Sequence, residues 1–192
     1  MLCIKIVSDI DGTVADVMSV ACARVRDQWG IPFTPEDVCQ PDFSEAVHAK
    51  FPEVSLTDIR HTTDSWWKDP ALYEDLTPYT DMLEQLIVRL EFARILFVSA
   101  RPATEELYQV TVKWLQAQKL KKFRVALGVS ALTRVELCQR IQPDEYYDDL
   151  PANVRDVFRS CPYTSAILVP RPWNGEGLGV DENALFRFTS AG

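Results

Sequence analysis

Asp9-Ile10-Asp11-Gly12-Thr13-Val14-Ala15-Asp16 follows directly on the apolar run Ile4-Lys5-Ile6-Val7-Ser8. The run predicts a strand over residues 3–7, so Asp9 and Asp11 leave the strand end on alternate positions and point the same way. Gly12 permits the tight turn, continued by Thr13, that gathers backbone N–H groups around an anion such as a phosphate. Side by side, the two carboxylates make a nucleophile and a proton-transfer partner. They repel one another unless a cation joins them, and oxygen ligands beside a phosphate point to Mg2+. The plainer alternative is an Asx turn or a helix cap after a strand, which Asp-Gly-Thr also supplies. Asp16 opens a helical pattern, where a carboxylate either joins the site or simply favours the helix dipole.

Downstream, short β-branched runs at 95–99, 123–127, 145–147 and 166–169 alternate with helix-period stretches at 103–118, 132–141 and 152–159. This alternation predicts an α/β fold, a Rossmann-like three-layer sandwich around a parallel sheet, with ligands beyond the carboxyl ends of the strands. One interval breaks the rhythm. Between the first two strands lie helical patterns at 14–29, 44–51, 56–67 and 80–90 and a short one at 35–38, the first ended by Gly30-Ile31-Pro32. A small helical cap is therefore expected at 17–77, inserted into a core formed by 1–16 and 78–192. The tail from Gly175, with Gly177 and Gly179 close behind, reads as a loop before a loosely attached end.

Two further strand ends carry polar groups. Val98-Ser99-Ala100-Arg101 places a hydroxyl where Ser99, with the N–H of Ala100, can donate to a phosphoryl oxygen; the alternative is that Ser99 caps the next helix, a task open also to Thr104. Tyr146-Tyr147-Asp148-Asp149-Leu150-Pro151 ends in a carboxylate pair that can hold a metal directly and orient its waters. Asp149 could instead cap the helix at Pro151, which makes Asp148 the better ligand and Asp149 the alternate.

The three elements, in this order, resemble the haloacid dehalogenase superfamily of phosphotransferases. The resemblance implies that Asp9 attacks phosphorus, that Asp11 protonates the leaving group and then activates water, and that Mg2+ sits on Asp9, the Asp11 carbonyl and Asp148. The superfamily supplies a further cation, usually Lys, ahead of the late acidic pair. Arg134 is the candidate here, a planar fork rather than a compact charge, with Lys121, Lys122 and Arg140 as alternatives. Trp66-Trp67-Lys68-Asp69-Pro70 through Tyr79, Asp148 through Val154, and Pro170-Arg171-Pro172-Trp173-Asn174 resemble the 5'(3')-deoxyribonucleotidases. That implies a small phosphorylated substrate, a (deoxy)nucleoside monophosphate. The aromatic side chains of the cap offer stacking partners for a base or sugar, Phe43, Trp66 and Tyr73 foremost, and Arg101 joins them as a specificity candidate. Trp173 is expected to fasten the terminal loop, and His48 and His61 to lie at the surface. A polynucleotide 3'-phosphatase, a sugar-phosphate phosphatase and a catalytically silent binding module are the alternatives.

Composition agrees with a chain that buries one core. Of 192 residues 47% are hydrophobic, and 20 basic against 28 acidic side chains give a net charge of −8. That balance opposes a large nucleic-acid footprint but not a local cationic pocket. Cys3, Cys22, Cys39, Cys138 and Cys161 are scattered without metal-site spacing, so reduced and mostly buried thiols are expected. The first apolar run is too short for a secretory leader and no stretch would span a bilayer, so the protein is expected in the cytoplasm.

Overall fold

The computed structural model describes residues 4–39, 42–90, 92–120 and 122–174, so Lys121, Cys3 and the tail from Gly175 lie outside the described residues. In chain order it contains β1 (Ile4–Asp9), β2 (Ala15–Asp16), α1 (Val17–Trp29), α2 (Phe43–Lys50), α3 (Leu56–Trp66), β3 (Thr77–Pro78), α4 (Thr80–Arg89) and β4 (Ala93–Ser99). There follow α5 (Glu105–Ala117), β5 (Phe123–Leu127), α6 (Ala131–Ile141), β6 (Glu145–Asp148), α7 (Pro151–Ser160) and β7 (Ser165–Leu168).

Five strands form one parallel sheet in the order β5-β4-β1-β6-β7. β1 is central, and its alternate side chains reach opposite faces. Ile6 packs with Ile95, Phe97 and the α4 and α5 side chains Leu86, Leu107 and Leu115, whereas Val7 packs with Val98, Tyr146 and the α7 side chains Val154 and Val157. Three layers result, as the alternation predicted. Strand order reverses at β1, and the register Asp9↔Val98 and Ser8↔Tyr147 brings the ends of β1, β4 and β6 to one crevice.

The helix expected from residue 14 begins at Val17 instead. The N–H groups of Thr13, Val14 and Ala15 all converge on the Ile10 carbonyl (3.3, 2.9 and 2.9 Å), and Ala15–Asp16 then pairs antiparallel with Thr77–Pro78. Asp16 caps α1, accepting from Ser19 N and Oγ at 2.9 and 2.6 Å, so its helix-end reading is the one the structure gives. Gly30 ends the helix at φ 68°, as the Gly30-Ile31-Pro32 stop predicted.

Residues 17–76 thus lie between β2 and β3 as a helical insertion. α1, α2 and α3 share an apolar cluster built on Phe33, Phe43, Val47, Ile59 and Trp66. Its exit is rooted in the sheet's own core, where Leu72, Tyr73 and Leu76 pack and Trp114 Nε1 donates to the Leu76 carbonyl at 2.8 Å. Among the described cysteines, Cys22, Cys138 and Cys161 are buried and Cys39 is exposed, all unpaired. No helix among the described residues is long and apolar enough to cross a membrane.

Candidate active site

Asp9 ends β1 and Asp148 ends β6, with Asp149 one residue on; one oxygen from each of the three lies within 4.8 Å of the others, and all three residues are buried. Arg134, brought in by α6, is the cation among them. Its Nη1 donates to Asp9 Oδ1 at 2.8 Å and to Asp148 Oδ2. Burial works against the charge on Arg134, but Asp9 and Asp148 outweigh it and raise its pKa. Its Nε is buried with no partner among the described residues.

The two late carboxylates have different surroundings. Asp148 is fully buried and accepts from Leu150 N (2.8 Å), Asn153 Nδ2 (3.0 Å), the Tyr146 hydroxyl and Arg134. Asp149, not Asp148, faces the cavity described below, taking bonds from Trp173 Nε1 (2.7 Å) and Thr13 Oγ1 (3.3 Å). Both belong to the carboxylate cluster, and Leu150 rather than Asp149 stands at the N-cap of α7. Burial pushes Asp149 up to about 7, helped by Asp148 and opposed by Trp173 and Thr13. Burial also lifts Asp9 well above the usual carboxylate range against the pull of Arg134, with Asp148, Asp149 and Asp11 adding to the rise.

Three buried carboxylates facing one guanidinium are an electrostatic deficit that a hard divalent cation would offset. The donor set, all oxygen, fits such an ion. The cluster could hold a metal.

Comparison of the sequence with family models and with curated proteins finds no match. Solved structures do match by shape. A haloacid dehalogenase-like hydrolase of Streptococcus pneumoniae superposes with a TM-score of 0.57 at 12% identity, over 82% of this chain and 81% of its own. A dehalogenase gives 0.56 at 17% identity, over 95% and 91%, and an L-2-haloacid dehalogenase 0.53 at 10%, over 93% and 90%. The fold is haloacid dehalogenase-like.

In this haloacid dehalogenase-like fold, a cavity of about 440 Å3 opens over the cluster. Asp9, Asp11, Gly12, Arg101, Arg134 and Asp149 line it, together with Val17, Met18, Val38, Phe43, Trp67, Tyr73, Ala100, Leu150 and Trp173. Asp11 does not join the carboxylate cluster with its side chain. Arg101 grips it through Nε (2.9 Å) and Nη2 (2.5 Å), and the Ser99 hydroxyl donates to it at 2.9 Å. Arg101 is itself fixed by Thr111 Oγ1 at 2.7 Å and by the Tyr73 ring, 4.0 Å away.

Ser99 donates to Asp11, and the cap of α5 falls to Thr104, which accepts from Leu107 N. The N–H groups of Gly12 and Thr13, expected around an anion, donate to the carbonyls of Ala15 (2.9 Å) and Ile10 (3.3 Å), because the turn closes on itself before α1. Gly12 is needed for another reason. It stands at φ 83°, and a β-carbon there would overlap the Asp149 carboxylate.

Of the specificity candidates, Phe43 and Tyr73 line the cavity, as does Arg101; Trp66 turns away and packs on Trp29 at 5.6 Å, leaving Trp67 on the cavity wall. One helical step separates these two tryptophans, and the sequence offered no signal for which faces inward. Ala100 stands exposed at the cavity, His61 is exposed, and half-buried His48 bonds the Val54 carbonyl at 2.9 Å. Sequence reasoning missed Tyr146 and Asn153, whose spacing from Asp148 along β6 and α7 was the available signal. It also missed Arg171, which donates to the Gly12 and Thr13 carbonyls at 2.6 and 2.7 Å.

Proposed function

We propose that the chain is a magnesium-dependent phosphomonoesterase that hydrolyses (deoxy)nucleoside monophosphates through an aspartyl-phosphate on Asp9. The division of the cavity carries this reading: charged groups cluster at Asp9, Asp11, Arg101, Arg134 and Asp149, while the remaining wall is aromatic and aliphatic. Its volume suits one small ligand. A planar base finds stacking partners in Phe43, Trp67 and Tyr73. A sugar phosphate would leave hydroxyls unpaired against that wall, and a polynucleotide end asks for a cationic groove that a chain of net charge −8 does not suggest.

Asp9, Asp148, Asp149 and the Asp11 carbonyl would hold magnesium, which would supply the positive charge that a phosphoryl group needs beside so many carboxylates. Asp9 forms the new bond to phosphorus as the ester oxygen leaves, and Arg134 holds the attacking carboxylate in place. The leaving oxygen takes its proton from Asp11, which later removes one from the water that frees phosphate and restores Asp9. Asp11 reaches that oxygen only when Arg101 releases it, and an incoming phosphate offers Arg101 a replacement anion.

Dehalogenases among the structural neighbours suggest a second chemistry. An aspartate that attacks the carbon of a haloacid needs no further carboxylates around it, and Asp148 and Asp149 would repel the haloacid's own carboxylate. The test is phosphate release with Mg2+ from 5'- and 3'-nucleoside monophosphates, 3'-phosphorylated oligonucleotides and sugar phosphates, with halide release from a 2-haloacid beside it. Turnover selective for nucleoside monophosphates, lost in Asp9→Asn and on chelation, is the expected result. Activity on another member of the panel overturns the substrate, and silence throughout returns the binding-module reading.

A further inference from the structure

The segment after β7 touches both the carboxylate cluster and the helical insertion, and one side chain does both. Trp173 donates through Nε1 to Asp149 Oδ2 at 2.7 Å, while its ring is buried in the apolar cluster of the insertion with Val38 and Phe43. Every other buried member of that cluster belongs to the insertion. The donor end is anchored independently of the ring: Asn174 Nδ2 donates to the carbonyls of Asp149 and Val169, both at 2.7 Å, and its Oδ1 accepts from Arg171 N at 2.8 Å. The 3-10 turns Pro35–Asp37 of the insertion and Pro172–Asn174 of this segment lie against one another.

We infer that Trp173 is a positioning residue that couples seating of the helical insertion to metal binding at Asp149. It rests on the metal part of the proposed function, not on the substrate. A tryptophan ring packed into the insertion fixes the direction in which its N–H points, and that N–H fixes which face of the Asp149 carboxylate is left for an ion. Coupling of this kind is reciprocal: a seated insertion strengthens metal binding, and a bound metal seats the insertion.

Trp173→Phe keeps an aromatic ring and deletes the N–H. With the metal alone as probe, calorimetric titration of Mg2+ into the chelated protein, below the melting range of both proteins, is expected to show about tenfold weaker binding in the variant. Hydrogen exchange then reads the other direction. Mg2+ is expected to slow exchange of α2 and of Glu36 and Asp37 in the wild type and to leave them unaltered in Trp173→Phe. Equal magnesium affinity in the two proteins, or protection by metal that stops at the segment after β7, overturns the inference. Should Trp173→Phe not fold, Val38→Ala perturbs the same cluster from the insertion's side; a severalfold loss of affinity supports the coupling and wild-type affinity overturns it. A wild type that takes up no magnesium overturns the metal reading along with this one, whereas uptake indifferent to Trp173 overturns this one alone.

Discussion

Arg134 holds Asp9 and Asp148 on a single nitrogen, and all three residues are buried. Removing one partner of such a group leaves charge buried without compensation, which costs far more than the pairing itself contributes. Arg134→Met is therefore expected to lower stability by about 3–5 kcal/mol in metal-free urea unfolding, and by less when Mg2+ is present to face the same carboxylates. Gly12 is constrained by both backbone and space. Gly12→Ala forces a β-carbon into a left-handed conformation, at about 1–2 kcal/mol, and displaces the Asp149 carboxylate it overlaps. Loss of magnesium uptake beyond what the lowered stability explains, read by titration below the melting range, is the expected signature.

Among the elements, strands and helices of the sheet domain were legible because each repeats its apolar residues at its own period, and the glycine stop after α1 is a local signal. The turn after Asp9 was not. Asp-Gly-Thr fits an anion cradle and a self-closing turn equally well, and the choice is made by the distant strand Thr77–Pro78, which pairs with Ala15–Asp16. Likewise the grouping of Asp9, Asp148 and Asp149 could be read from strand ends, but the donors that occupy Asp148 come from β6, α6 and α7 and are visible only in three dimensions. Asp16 belongs to this scale. Its carboxylate caps α1, so Asp16→Ala is expected to cost about 1 kcal/mol, measured by thermal melting, with magnesium affinity unchanged.

For the molecule as a whole, the clustered carboxylates make the metal-free state the strained one. A hundredfold excess of Mg2+ over its dissociation constant is expected to add about 2.7 kcal/mol to stability, which for a chain of this size raises Tm by about 5–10 °C, and chelation should reverse it in the same scan. The paired strands β2 and β3 also bear on how the insertion could be exchanged. Asp16 and Thr77 stand opposite one another, so the chain departs from the sheet and returns to it at a single doorway. A different helical module spliced there is expected to leave β1 and β4 in place, provided the graft keeps Val17, Leu72, Tyr73 and Leu76, which are rooted in the core beneath. Such a graft would replace the cavity wall at Val38, Phe43 and Trp67 and leave Asp9 and Asp149 where the strand ends hold them.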